Sequence, residues 1–191
     1  MKEIRAYLEQ LGGKVSPQLE ARFSVFEAVK LAKGDYFLMQ GDICKKMAFL
    51  TKGQIRHFYD VDGKEVTRWV SLDQNFVTSF ASFVSGRPSL ENLVCIEDCE
   101  MYLCSKEAFM QIKAEFPSMT QLWVLALEQE MVGYEYRVFQ LISGSAENRY
   151  LDFLKEYPRF VKEVPQKYLA SMLGIEPRSL SRIRKKIADG N

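Results

Sequence analysis

The stretch Val164-Pro-Gln-Lys-Tyr-Leu-Ala-Ser-Met-Leu-Gly-Ile-Glu-Pro-Arg-Ser-Leu-Ser-Arg-Ile-Arg-Lys-Lys-Ile187 decides the reading of this chain. It spells two short helices around a glycine turn. Pro165 suits the first position of a helix, where its missing N–H is not needed. Leu169, Met172 and Leu173 give that helix an apolar face at helical spacing. Gly174 can adopt the positive φ that closes it, and Pro177 opens the second helix. There Leu180, Ile183 and Ile187 form one face. Arg178, Arg182 and Lys186 form another, with Ser181 and Lys185 beside them. An apolar back and a basic front, turned against a shorter helix, predict helix-turn-helix geometry. In that geometry the second helix enters the major groove of double-stranded DNA and its early residues reach base edges. Arginine is the usual reader of guanine because its planar fork is bidentate.

An ordinary helical hairpin with a solvated basic face has the same spacing, and charge separates the two. Residues 165–191 hold six Lys or Arg and two acids, whereas the remaining 164 residues hold 20 bases and 23 acids. A basic module on a mildly acidic body is the footprint expected of a partner bearing phosphates.

The 191 residues suffice for one large or two small domains with a sizeable core. No apolar run approaches the ~20 residues of a membrane span. Met1-Lys-Glu-Ile-Arg5 lacks an apolar signal core, so the expectation is a cytoplasmic protein with no membrane partner. The cysteines are Cys44, Cys95, Cys99 and Cys104, and the single histidine is His57. Their spacing matches no zinc pattern. Four cysteines can hold an iron–sulfur cluster, but buried thiols on strands are the plainer reading. No metal site, cofactor or catalytic residue is expected, because no nucleophile–base pair presents itself.

Taken in order, Ile4, Leu8 and Leu11 predict an amphipathic helix ending at Gly12-Gly13. Ser16-Pro17 predicts a second, carrying Leu19, Phe23, Phe26 and Val29. From about 34 to 104, short β-rich runs alternate with turn signals, Asp62-Gly63 the strongest of them. Six strands are expected, at Tyr36–Met39, Lys46–Thr51, Gln54–Tyr59, Glu65–Ser71, Asn92–Ile96 and Glu100–Cys104, forming a small antiparallel barrel or roll. Ser105 caps a short helix stopped by Pro117. Ser118 to about Ile142 reads as the longest helix, with two apolar stripes. One is Leu122, Leu125, Gln129, Val132, Tyr136 and Phe139; the other is Leu127, Met131, Tyr134, Val138 and Leu141. One stripe can lie on the barrel and leave the other for a second copy in a homodimer; a helix sandwiched within one chain is the alternative. Ser143-Gly144-Ser145 reads as a flexible joint. A helix over Ala146–Tyr157, ended by Pro158, precedes the helix pair.

Barrel, long helix and helix-turn-helix, in that order, resemble the Crp/Fnr family of bacterial transcription regulators over essentially the whole chain. The resemblance is carried by Gly34-Asp-Tyr-Phe-Leu-Met-Gln-Gly-Asp42, Phe49-Leu-Thr-Lys-Gly-Gln-Ile-Arg56, Asp62-Gly63-Lys-Glu65, Ala146-Glu-Asn-Arg-Tyr-Leu151, Pro165 to Ile175 and Leu180 to Lys186. It implies an α+β fold: an antiparallel β-roll or barrel like a cyclic-nucleotide-binding domain, a long dimerisation helix and a C-terminal helix-turn-helix domain. The expected divisions are 1–117, 118–142 and 143–191.

The resemblance also implies a homodimeric, sequence-specific DNA-binding regulator and, as further partners, RNA polymerase and a small-molecule effector. Arg178, Ser179 and Arg182 would read bases. Ser181, Lys185 and Lys186 would lie nearer the backbone, with Gln166 and Lys167 on phosphates. The family's cyclic-nucleotide pocket usually carries a Gly-Glu pair and then an Arg. Here Val77 and Thr78 stand at the first pair and Ser89 at the Arg position, with Arg87 two residues before it. The candidate pocket residues are therefore Thr78, Ser79, Arg87 and Ser89, and cyclic AMP is not expected to bind. The alternative is a sensor whose unidentified barrel ligand gates DNA binding.

Overall fold

The computed structural model describes residues 1–189. Two helices open the chain, α1 (Lys2–Gln10) and α2 (Pro17–Ala21), followed by a 3-10 turn at Arg22–Val25. Ser16 caps α2 by accepting the Leu19 N–H at 3.1 Å. Eight strands follow: β1 (Glu27–Leu31), β2 (Tyr36–Leu38), β3 (Lys46–Lys52), β4 (Ile55–Val61), β5 (Lys64–Ser71), β6 (Asn75–Val77), β7 (Asn92–Cys95) and β8 (Cys99–Ser105). A short helix α3 (Phe80–Ser85) lies between β6 and β7. Helices α4 (Lys106–Glu115), α5 (Pro117–Ser143), α6 (Ala146–Glu156), α7 (Pro158–Glu163), α8 (Gln166–Met172) and α9 (Pro177–Ala188) complete the chain.

The strands form two four-stranded antiparallel sheets, ordered β1-β8-β3-β6 and β2-β7-β4-β5. Their buried residues, Phe49, Leu50, Ile55, Leu93 and Met101 among them, share one core with Ile4, Leu19, Phe109 and Leu122 of the flanking helices. Asp62 and Gly63 take φ of 53° and 80°, the two positive values that a type I′ hairpin turn requires between β4 and β5.

The structure departs from the sequence reading at several points, α3 among them. Val29 lies not on a helix but on β1, which pairs along β8 from Glu27↔Leu103 to Leu31↔Cys99; sheet pairing overrides its weak helical spacing. Residues 75–77 form a further strand, β6, against β3. Pro158 does not merely end a helix but opens α7 at its first turn. The joint at residues 143–145 is tied rather than loose: Arg149 donates to the carbonyls of Gly144 at 2.5 Å, Leu173 at 2.8 Å and Gly174 at 3.1 Å.

A second core gathers Tyr150, Phe153, Phe160, Val161, Leu169, Met172, Ile175 and Leu180. It includes Val70 of β5, so the C-terminal helices close over that sheet. Long helix α5 buries only Met119 and Leu122. From Met131 onward both apolar stripes are exposed, with Met131 at 60% and Val132 at 71%. This part of the helix meets β5 and α6 through the polar side chains Arg137 and Gln140, and neither stripe is covered there.

Candidate functional sites: the barrel interior and the basic helix

In the barrel the β4–β5 ladder pairs His57 with Trp69 and Phe58 with Thr67. Arg68 is the extra residue of this β-bulge. A bulge re-aims a side chain and frees main-chain groups from the ladder, and Arg68 uses both. Its Nε lies 2.7 Å from Glu91 Oε2, and its Nη2 donates to His57 Nδ1 at 3.2 Å and to Glu91 Oε1 at 3.4 Å. Its carbonyl accepts Arg137 Nη2, from α5, at 2.8 Å.

Because His57 Nδ1 accepts from arginine, its Nε2 carries the ring proton and donates to Ser71 Oγ at 2.9 Å. Burial pushes the His57 pKa down and keeps the ring neutral. Glu91 is 6% exposed. Burial alone would raise its carboxyl, but the contacts from His57 and Arg68 outweigh that and hold it down at about 2. By distance Arg68 is the stronger partner, since His57 Nδ1 is 3.6 Å from the carboxylate.

The expected pocket residues fare differently. Ser79 and Ser89 are buried, with hydroxyls 3.1 Å apart. Ser79 donates to Glu91 Oε1 at 2.9 Å, and Ser89 donates to the Glu91 carbonyl at 2.7 Å. Thr78 turns away to the Lys46 carbonyl at 3.1 Å. Arg87 is exposed, and its carbonyl accepts from Ser82 at 2.6 Å. Glu91, Arg68 and the role of His57 were missed. Glu91 sits two residues past Ser89, where the resemblance points to a cation rather than an acid.

Helices α8 and α9 meet at Gly174, whose φ of 61° closes the turn. Leu180 is fully buried and Ile183 and Ile187 are half-buried, while Arg178, Ser181, Arg182, Lys185 and Lys186 are exposed. Ser179 is half-buried and accepts from Arg182 Nη2 at 3.1 Å. Gln166 donates to Ser181 Oγ at 2.6 Å, which joins the start of α8 to α9. Lys167 is exposed, its ammonium 4.7 Å from the Tyr168 ring centre. Lys186 pairs with Glu147 at 3.0 Å.

The C-terminal module docks on the barrel through Trp69, whose ring lies 4.8 Å from Phe160 and 5.7 Å from Tyr157. Arg137 stacks over the same indole at 4.9 Å. Arg56 is held between the rings of Phe58 and Tyr168 at 4.3 and 4.5 Å, and it pairs with Glu65. Arg159 pairs with Asp73. All four cysteines are buried free thiols. Among the described residues no three His, Cys, Asp or Glu side chains converge as a metal would need, and no helix is long and apolar enough to cross a membrane.

Residues 28–116 match the family model of the cyclic nucleotide-binding domain. Around this matched segment the chain shares the fold of solved Crp/Fnr transcription regulators. It is similar to the catabolite activator protein of Thermus thermophilus, with 18% identity and a TM-score of 0.60 over 94% of this chain and 87% of that one. It is similar to the c-di-GMP-responsive global regulator CLP of Xanthomonas campestris, with 15% identity and a TM-score of 0.69 over 92% and 93%. FixK2 of Bradyrhizobium japonicum is 15% identical, with a TM-score of 0.74 over 87% and 86%. At these identities the likeness establishes the fold. No curated protein sequence matches the chain significantly.

Proposed function

We propose that this chain is a sequence-specific DNA-binding transcription regulator that acts as a homodimer in the cytoplasm and is not an enzyme. The observation that carries the reading is α9, with Leu180, Ile183 and Ile187 turned inward and Arg178, Arg182 and Lys185 presented to solvent, on a Crp/Fnr architecture. Residues 1–117 form the effector-type domain, 118–142 the dimerisation helix and 143–191 the helix-turn-helix domain. Arg178, Ser179 and Arg182 read base edges. Ser181, Lys185 and Lys186 lie nearer the backbone, with Gln166 and Lys167 on phosphates. The exposed apolar length of α5 supports pairing with a second copy. Pairing would set two recognition helices on half-sites one helical turn apart. RNA polymerase is the further partner such a regulator engages.

Cyclic AMP is not its effector. The glutamate and arginine that bind ribose and phosphate are replaced by Thr78 and Ser89, and the polar atoms of Ser79 and Ser89 are already engaged by Glu91. Absence of any melting shift with cyclic AMP is the expected result. A second reading, a sensor whose unidentified barrel ligand gates DNA binding, is favoured by the domain's own family.

Selection of bound duplexes from a random pool without ligand, followed by anisotropy titration, tests the proposal. An enriched palindrome with half-sites one turn apart supports it. Binding that is salt-sensitive but indifferent to sequence favours the gated sensor, and no binding to DNA at low salt overturns both.

A further inference from the structure

Glu91 is a buried acid that the DNA-binding reading does not use. Its carboxylate is met by Arg68 at 2.7 Å and Ser79 at 2.9 Å, inside the barrel. A buried carboxylate costs much unless paired, so this acid is retained against a penalty. Its partner is no ordinary strand residue. Arg68 is the bulge residue of β5, and its carbonyl holds Arg137 of α5 at 2.8 Å. Next to it in sequence, Trp69 carries the C-terminal helices. One residue thus binds the anion with its side chain and the long helix with its backbone.

We propose that Glu91 is a resident anionic ligand of the barrel: its carboxylate fills an anion site built from Arg68 and Ser79 and, through the Arg68 bulge, fixes the seating of α5 and the C-terminal module. The site takes a small monocarboxylate once the Glu91 side chain is gone. In the intact chain the tethered group excludes added anions, because its effective concentration far exceeds theirs.

Chemical rescue tests this. Glu91→Ala leaves the half-buried Arg68 without its partner and should lower the melting temperature by about 10 °C in chloride. Sodium acetate or formate, against sodium chloride at equal ionic strength, should restore several degrees in a saturable manner. The intact protein and the double variant Glu91→Ala/Arg68→Met should show no such response. Equal response of all three proteins, or none in Glu91→Ala, overturns the site. Should Glu91→Ala not fold in chloride, its refolding yield in acetate against chloride is the readout, and equal yields overturn the proposal.

A second arm rests on the DNA-binding reading. Operator affinity of Glu91→Ala should fall about tenfold in chloride and recover in acetate. A thermal rescue with unchanged operator affinity overturns the relay. If the intact protein selects no operator, the DNA-binding reading itself has failed, and the thermal arm still judges the site.

Discussion

The Ser171 hydroxyl accepts the backbone N–H of Thr67 at 2.9 Å. Thr67 lies on β5, the last strand of its sheet, so a side chain of α8 completes a ladder that no further strand does. Ser171→Ala would leave that N–H buried and unpaired, at about 1–3 kcal/mol. The expected result is a lower melting temperature together with faster hydrogen exchange at the Thr67 amide. An unchanged exchange rate would mean that the contact is not maintained in solution.

Acid should destabilise the protein over two ranges of pH. His57 has a pKa below its ordinary 6.5 in the folded chain, so the unfolded chain takes up more protons and stability falls as pH drops below that value. Glu91 titrates at about 2 instead of 4.5. Its contribution is complete above the unfolded value and is lost as pH falls from there toward 2. Together with 1.36 kcal/mol per unit, this amounts to about 3 kcal/mol. Urea melts at stepped pH should show a shallower acid slope for Glu91→Gln than for the parent. Equal slopes would remove Glu91 from the account.

At a selected operator, Arg182→Ala should cost ~1–3 kcal/mol and relax preference at one base position. Lys167→Ala should instead weaken binding to all sequences alike and reduce the salt slope by about 1. Anisotropy titrations over a salt series distinguish the two. If both variants behaved alike, base reading by Arg182 would be wrong.

Phe139 is 60% exposed on α5, so Phe139→Glu should leave the monomer fold intact while placing a charge in any interface between two long helices. Dimer dissociation should rise about a hundredfold or more in sedimentation equilibrium. A parent that sediments as a monomer, or a variant that dimerises equally well, would sink dimerisation through this face.

What the sequence made legible is what local chemistry governs. Asp62-Gly63, Gly174, and the caps at Ser16 and Ser105 each have one cheap backbone solution, and the structure adopts it. Strand β1 was hidden because Glu27 and Lys30 face solvent on an edge, and its only reason to extend is β8. The Arg68 bulge was hidden because a one-residue slip leaves no mark on an alternating pattern. In the barrel, Ser79 and Ser89 could be picked out by position along the strands, yet the group they serve, Glu91, could not. Its burial depends on Arg68, a residue 23 positions away. The tied joint at Gly144 likewise rests on Arg149, whose three carbonyl partners come from two separate turns.

Trp69 and the outer edge of β5 lie beneath the C-terminal helices. An open strand edge beside an exposed indole is a template on which another chain can add a strand. A barrel cut free at Ser143, or one whose C-terminal helices have swung away, would therefore be adhesive. The helices that carry the basic face would then also be what keeps the barrel from polymerising. Mutations that loosen their docking should be met in the cell first as aggregates and proteolytic fragments.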